Sequence, residues 1–351
     1  MLPFQSPLEP MLAQAEDEIP AGEGWLYEPK WDGFRAIVFR EGDRLHLCSR
    51  NGQPLERYFP EVVEGLKKAL PPEIVVDGEI ILPGARGLDF EALSQRIHPA
   101  ASRVNKLSVE TPAGFVAFDC LALGGEDLRG LPNQVRREKL IALFQGHEGF
   151  FVTPQTVNLE TARQWFHEFE GAGCDGVIAR RLDLDYRPGE RVMVKIKHGR
   201  TADVVVVGYR EGKTPGTVGS LLLGVYDERG ELLHIGHTSS FSAKEKKALR
   251  EKLKPLEAGA PVFPGKLESA PNRWSKGQEK AAPTPLTPTL VCEVRYDYLQ
   301  GMRFRHASTF LRWREDKAPK SCLFSQLLPP HPFSLAKIVA LSPTKARVTP
   351  T

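Results

Sequence analysis

The texture of the chain changes at Lys197-His198-Gly199-Arg200, and that change limits the fold more than any other feature. Before it, strand-like and helix-like stretches are mixed without regular alternation. After it come short strand-like runs separated by Gly-bearing turns, with a single helical stretch among them. The 351 residues exceed what one ordinary domain needs, so two compact units are expected. Charge divides at nearly the same place. Residues 1–200 carry 24 Lys and Arg against 30 Asp and Glu, a net of −6, and residues 201–351 carry 23 against 14, a net of +9. Such asymmetry points to a basic module that meets a polyanion, beside a half with other duties. The cluster Lys244, Lys246, Lys247, Arg250, Lys252 and Lys254 reads as one exposed helix face.

Several classes are excluded at once. Hydrophobic residues at 41% and charged residues at 26% fit a soluble globular chain. No apolar run approaches the roughly 20 residues that span a bilayer. The first 29 residues hold no Lys or Arg, so a signal peptide is not expected there. Five scattered cysteines give neither a disulfide framework nor a zinc site, and a reducing cytosol is the expected setting.

In the first half, the runs 34–40 and 44–50 flank Glu41-Gly42-Asp43 and predict a hairpin. Strands are expected over 73–82, 114–121, 176–180 and 193–197, and helices over 88–98, 134–144 and 159–171. This order fits an antiparallel α+β domain better than a βαβ series. In the second half, strands over 202–209, 218–226, 232–237 and 290–298 with one helix over 243–253 suggest a small β-barrel of the OB type. Residues 255–289 read as a long loop, and the tail from Pro329 is expected to pack loosely.

Six fragments carry chemistry. In Glu28-Pro29-Lys30-Trp31-Asp32-Gly33-Phe34-Arg35 a lysine precedes an Asp-Gly turn and an arginine opens a strand. An ammonium ion cannot attack anything, so a nucleophilic Lys30 needs nearby cations or a metal ion to lower its pKa or to hold the free amine in line. Arg35 can hold a phosphate bidentately. Ser49-Arg50-Asn51-Gly52 ends the next strand. Asp77-Gly78-Glu79 lies between apolar runs and, taken alone, reads as a tight hairpin turn. Phe118-Asp119 closes an apolar run, and Asp175-Gly176 opens another. In Lys195-Ile196-Lys197 two lysines share one strand face, which costs stability unless an anion sits between them.

In this order and at these separations the fragments resemble the nucleotidyltransferase motifs of ATP-dependent DNA ligases, a superfamily shared with RNA ligases and mRNA capping enzymes. Arg312-Trp313-Arg314-Glu315-Asp316-Lys317 is similar to the element that ends the ligase OB domain. The resemblance runs from Glu9-Pro10-Met11-Leu12-Ala13 to about Leu328. Residues 94–100 and 303–307 point to the short bacterial ligases of the ligase C type. The resemblance implies an adenylation domain over 1–199, an OB-fold domain over 200–328 and a tail over 329–351.

It also implies roles. Lys30 would attack the α-phosphate of ATP and hold AMP through a phosphoramidate bond. Glu28 would accept a hydrogen bond from the adenine amino group, Glu79 would accept from ribose hydroxyls, and Phe118 would stack on the base. Arg35 and Arg50 would grip ATP phosphates first and the 5′-phosphate of a nick later. Asp175, with Glu79, would bind Mg²⁺, with Mn²⁺ as the alternative. Lys195 and Lys197 would orient the α-phosphate, while Arg314, Asp316 and Lys317 would act on the outgoing pyrophosphate. Asp32 completes the lysine motif. Asp175 stands where ligases commonly carry Glu, and the spacing between Arg305 and Arg312 departs from the commoner pattern, which leaves Arg305 outside the site.

Nothing resembles the additional N-terminal DNA-binding domain of larger ligases. The implied partner is nicked duplex DNA, with repair proteins beside it and no membrane. The implied setting is a monomer in the cytoplasm, on the nucleoid, serving repair, recombination and replication. An RNA ligase, a capping guanylyltransferase and a nick-binding protein without catalysis are the competing readings.

Overall fold

One glycine decides the course of the central sheet. Asp77-Gly78 lies inside a single strand, Glu73–Ile81, and makes no hairpin. A Cβ on Gly78 would sit 2.4 Å from both the Phe115 ring and the Val116 carbonyl oxygen, so only glycine lets the neighbouring strand approach. The computed structural model describes residues 1–85, 87–143, 149–260, 282–328 and 332–343. Contacts divide the chain into two units, Met1–His198 with Pro329–Thr351, and Gly199–Leu328.

The first unit holds two main sheets. One runs in the order Phe150–Val152, Gly114–Leu123, Glu73–Ile81, Phe34–Glu41, Arg44–Ser49. The other runs Leu12–Glu16, Arg191–Lys197, Gly176–Arg181, Trp25–Pro29. Pairing along both paths is antiparallel except at one edge of each. Phe150–Val152 runs parallel to Gly114–Leu123, and Leu12–Glu16 runs parallel to Arg191–Lys197. The sheets are otherwise antiparallel, as the expected α+β class requires. A parallel partner needs a long crossover, and the one before Phe150 carries the helix Asn133–Leu143, which packs back on Gly114–Leu123.

The helices follow their apolar spacing. Pro60–Ala69 buries Val62, Leu66 and Ala69. Leu159–Glu168 is capped by Asn158, whose side chain accepts from the Thr161 amide at 2.9 Å, and it buries Ala162 and Trp165. The helix expected over 88–98 is only Phe90–Ser94. Beyond it the fully buried Arg96 donates to Glu61 at 2.7 and 2.9 Å and to the Tyr58 carbonyl at 2.9 Å, and the chain turns around that anchor.

The expected loose tail is also corrected. Residues 332–343 belong to the first unit, where the helix Leu335–Ala340 buries Ile338 completely. The Phe333 ring lies 5.2 Å from that of Phe169.

The second unit is a curled antiparallel sheet in the order Leu232–Thr238, Val218–Tyr226, Arg200–Glu211, Val291–Tyr296, Thr309–Trp313. A bridge between Thr238 and Ser308 brings its two edges together, which makes a five-stranded barrel. The helix Ala243–Leu253 starts in a capping box of Ser242 and Glu245 and turns Leu249 and Leu253 into the barrel core. Its cations do not all face solvent. Arg250 bonds the Tyr209 hydroxyl and Glu257, and Lys252 Nζ stands 4.2 Å from the Trp313 ring centroid. Most of the loop expected over 255–289 lies outside the described residues. Its far end, Thr284–Pro285, pairs with Gly208 and Tyr209. Among the described residues no helix is long and apolar enough to cross a membrane.

Candidate active site

Lys30 stands one residue past the strand Trp25–Pro29 and is fixed by a reciprocal pair of backbone bonds. Its amide donates to the Gly176 carbonyl at 2.9 Å, and its carbonyl accepts from the Asp175 amide at 2.8 Å. Gly176 has φ 130°, and a Cβ there would lie 1.9 Å from the Ile196 carbonyl oxygen, so the approach requires glycine. The result sets Asp175 against Lys30. Asp175 Oδ2 is 3.0 Å from Lys30 Nζ and 2.9 Å from Lys197 Nζ.

This anion reverses the expected electrostatics of Lys30. Burial lowers its pKa, but the charge and hydrogen bond of Asp175, with Glu79 and Asp32 behind, outweigh burial and raise it above the ordinary lysine value. Cations were expected to lower it, yet the nearest charge is a carboxylate. Asp175 responds in kind: burial works against its charge, while Lys30 and Lys197 hold it below the usual carboxylate range. Lys195 is the lysine whose pKa falls, through burial first and then through Lys197, Lys30, Arg191 and Arg50. A lysine whose charge is disfavoured by burial and by four neighbouring cations marks a place prepared for an anion.

These residues border a cavity of about 300 Å³. Its cations are Lys30, Arg35, Arg50, Arg180, Arg191, Lys195 and Lys197, its carboxylates are Glu28 and Glu79, and Phe118, Ile178 and Met193 are among its apolar residues. The strand ends and turns thus gather eight of the ten first-unit candidates, and Asp175 joins them through its two lysines. Asp32 acts on both Lys30 and Glu79 electrostatically. The Glu79 carboxyl is pushed up to about 7, by burial against the pull of Arg35 and Lys30.

Arg35 differs from its expected use. Its Nε and Nη2 donate to Asp77 Oδ1 and Oδ2, each at 2.6 Å, so the fork edge is already taken. The Tyr186 hydroxyl donates to Asp77 Oδ2 at 2.7 Å and accepts from the Met11 amide at 3.2 Å. Arg35 Cζ stands 4.8 Å from the Phe118 ring centroid. Glu28 is likewise built in. Oε2 accepts from Gln155 Nε2 at 2.9 Å, and Oε1 accepts from the buried Arg180. Arg180 also reaches Asp119 at 3.5 Å, and Arg136 holds Asp119 with two hydrogen bonds of 2.8 Å.

From sequence, Asp77 reads only as a turn residue, and Tyr186, Gln155, Arg180 and Arg191 are given no role. Of those four, Arg180 alone gives a signal, as a cation ending the apolar run 177–179. In the second unit Arg314 is spread over two carboxylates: it donates to Asp316 at 2.9 and 2.7 Å and to Asp203 at 2.8 and 3.0 Å. Lys317 Nζ lies 3.7 Å from Asp203, and the Arg314 hydrogen bond lowers Asp316 to about 2.

Among the described residues no group of three His, Cys, Asp or Glu side chains could cage a metal. Asp175 and Glu79 still suit Mg²⁺, which rests on one or two protein carboxylates and takes the remaining ligands from phosphate and water.

A cation-lined pocket with a half-buried lysine and an aromatic wall, on a strand-rich domain joined to a small barrel, defines a covalent nucleotidyltransferase. A family model for the ATP dependent DNA ligase domain matches residues 10–197, and one for the ATP dependent DNA ligase C terminal region matches 214–317. The chain belongs to the ATP-dependent DNA ligases. It is 48% identical over 348 residues to DNA ligase C1 of Mycolicibacterium smegmatis, covering 96% of this chain and 99% of that protein. It is 47% identical over 355 residues to DNA ligase C of Mycobacterium tuberculosis, covering 96% and 98%. The short bacterial ligase C type is therefore its subgroup. A solved Lig E DNA ligase shares the fold, with a TM-score of 0.54 at 19% identity over 87% of this chain and 99% of that one.

Proposed function

We propose that this DNA ligase seals nicks in duplex DNA through a lysyl-AMP intermediate on Lys30. The neutral Nζ attacks the α-phosphorus of ATP, the bond to the β-phosphate oxygen breaks, and pyrophosphate leaves while the amine loses a proton. An oxygen of the 5′-phosphate at a nick then displaces Lys30 and takes the AMP. The 3′-hydroxyl attacks that activated phosphorus, gives up its proton, and AMP departs. Positioning and charge neutralisation supply most of the rate in such transfers.

Each side chain has a part. Glu28, held by Arg180 and Gln155, accepts from the adenine amino group, and Phe118 stacks on the ring. Glu79 accepts from the ribose. Arg50, Lys195 and Lys197 bind phosphate oxygens, and Arg35 contributes its one remaining nitrogen. Arg314, Asp316 and Lys317 serve the pyrophosphate. Asp175 and Glu79 would hold Mg²⁺, whose charge would help neutralise the phosphates. Nicked duplex DNA is the partner, met by a chain that works as a monomer in the cytoplasm and on the nucleoid, in repair.

The observation that supports this reading most is Asp175 bridging Lys30 and Lys197 at 3.0 and 2.9 Å beside a cation-lined cavity. The test is covalent labelling with α-labelled ATP and a divalent cation, followed by a nicked-DNA chase. Label should enter the wild type, be absent from Lys30→Ala and leave on nicked DNA. Label that persists in Lys30→Ala would refute the assignment.

A further inference from the structure

The described part of the C-terminal segment, residues 332–343, lies beyond the last ligase motif, and no step above uses it. It is not idle surface. Ile338 is fully buried in the cluster that contains Trp31, Phe118, Phe169 and Cys174. Phe333 packs on Phe169, whose other neighbour is Trp165, stacked at 5.4 Å. The helix Leu335–Ala340 therefore rests on the short turn Phe169–Ala172.

That turn leads straight to the reacting lysine. The Cys174 amide donates to the Phe169 carbonyl at 3.1 Å, and the Gly173 amide donates to Glu170 at 3.0 Å. Gly173 takes φ 87° to make the exit, and Leu88 crowds it so closely that a Cβ would lie 2.9 Å from the Leu88 amide. The next residue after Cys174 is Asp175, whose amide and carboxylate both engage Lys30. From Ile338 to Lys30 Nζ the path passes only through packed or hydrogen-bonded neighbours.

We propose that the helix Leu335–Ala340 is a positioning element for lysyl-AMP formation. Phe333 and Ile338 brace the Phe169–Ala172 turn, which in turn sets Asp175 against Lys30. The inference rests on Lys30 being the nucleophile. It adds that the segment following the barrel returns to the first unit and tunes that site, so the first unit holds the chain on both sides of the barrel.

The experiment uses the full chain with Ile338→Glu, the milder Phe333→Ala and the conservative Ile338→Leu. Single-turnover lysyl-AMP formation at saturating ATP separates the rate constant from the fraction of enzyme that reacts, and hydrogen exchange follows 335–340 and 169–175. In Ile338→Glu both segments should lose protection together. The rate constant should fall about tenfold, the extent of labelling should hold, and Ile338→Leu should restore the rate to within about twofold. Phe333→Ala should fall between. Loss confined to the labelled fraction would make the helix merely structural and overturn the proposal. So would an unchanged rate in a variant whose helix has opened, or protection at 335–340 that Ile338→Glu leaves intact. If the wild type takes no label, the function of Lys30 fails instead, while joint loss of protection still reports the bracing.

Discussion

Arg180→Met is the most informative perturbation of the base pocket. Arg180 is 1% exposed and joins Glu28, 2% exposed, to Asp119, 1% exposed. Removing one partner of a buried ion pair costs about 3–5 kcal/mol, because the other charge is left stranded. Here the strain falls on Glu28 alone, since Arg136 keeps both of its 2.8 Å bonds to Asp119. Gln155 still donates to Glu28 at 2.9 Å, which places the expected loss near the lower figure, about 3 kcal/mol. For a domain of this size that lowers the unfolding midpoint by roughly 6–12 °C. The loosened carboxylate should also weaken one hydrogen bond to adenine, raising the ATP KM of lysyl-AMP formation by roughly 2–10-fold. The double variant Arg180→Met, Glu28→Leu separates the two effects: with no stranded charge it should regain stability to within about 1 kcal/mol of wild type, yet not regain ATP affinity. Thermal unfolding of the three proteins with ATP titrations of adenylation gives both readouts. A single variant that loses under about 1 kcal/mol and keeps its KM would show that Glu28 does not depend on Arg180, and the argument would fail.

Other expectations come from the same geometry. Because Asp175 raises the Lys30 pKa, the amine must shed a tightly held proton, so lysyl-AMP formation should accelerate with pH from 6 through 9 in single-turnover assays; a flat profile would contradict that pairing. Glu79 carries a folded-state pKa of about 7, above its unfolded value, so its contribution favours folding below that point and is lost as pH rises through it. Glu79→Gln should thus gain stability over wild type at pH 8, on the order of 2 kcal/mol, and little at pH 5, measured by denaturant unfolding. Phe118→Leu keeps most of the buried volume and loses the ring, so the ATP KM should rise roughly 5–100-fold with the protein still folded, as expected for lost base stacking. An unchanged KM would remove Phe118 from base binding.

Legibility from sequence followed the range of the interactions. The strands over 218–226 and 34–40 could be read because a short apolar run bounded by turn residues is a local signal. Arg96 could not: its partners at Glu61, Tyr58 and Thr111 lie tens of residues away, and it ends a helix that local spacing would extend. Asp77-Gly78 misled when taken alone, since its turn propensity is overruled by the close approach of Phe115 and Val116. The helices Pro60–Ala69 and Ala101–Glu110 and the strand Thr309–Trp313 went unread, although the motif that overlaps that strand was noticed. Within the site, residues that face the ligand lie in contiguous motifs, while the residues that hold them come from anywhere in the fold. Tyr186 is 109 positions from the Asp77 it steadies, and Arg180 is 152 from Glu28.

The position of Asp175 then explains why a lysine nucleophile can be stored without reacting. Lys30, Lys195 and Lys197 line the cavity together, and the Lys195 pKa is lowered by burial first and then by its two lysine neighbours. Like charges so close need an anion. Without nucleotide, Asp175 is that anion, and in serving it holds Lys30 as an unreactive ammonium. In the proposed reaction, the phosphates of ATP take over the neutralisation, so the lysines no longer need Asp175 and its carboxylate becomes available to a cation that accompanies the nucleotide. The proton must still leave Lys30 before it attacks, because phosphate oxygens favour the ammonium as Asp175 does. That ordering predicts that an inert polyanion such as tripolyphosphate should compete with ATP and should also weaken the Lys30–Asp175 pair. Reaction of Lys30 with an amine-directed acylating reagent should therefore become slower as tripolyphosphate binds, because the polyanion favours the ammonium and covers it. Acylation unchanged at saturating tripolyphosphate would show that phosphate does not reach Lys30 and that Asp175 alone neutralises it.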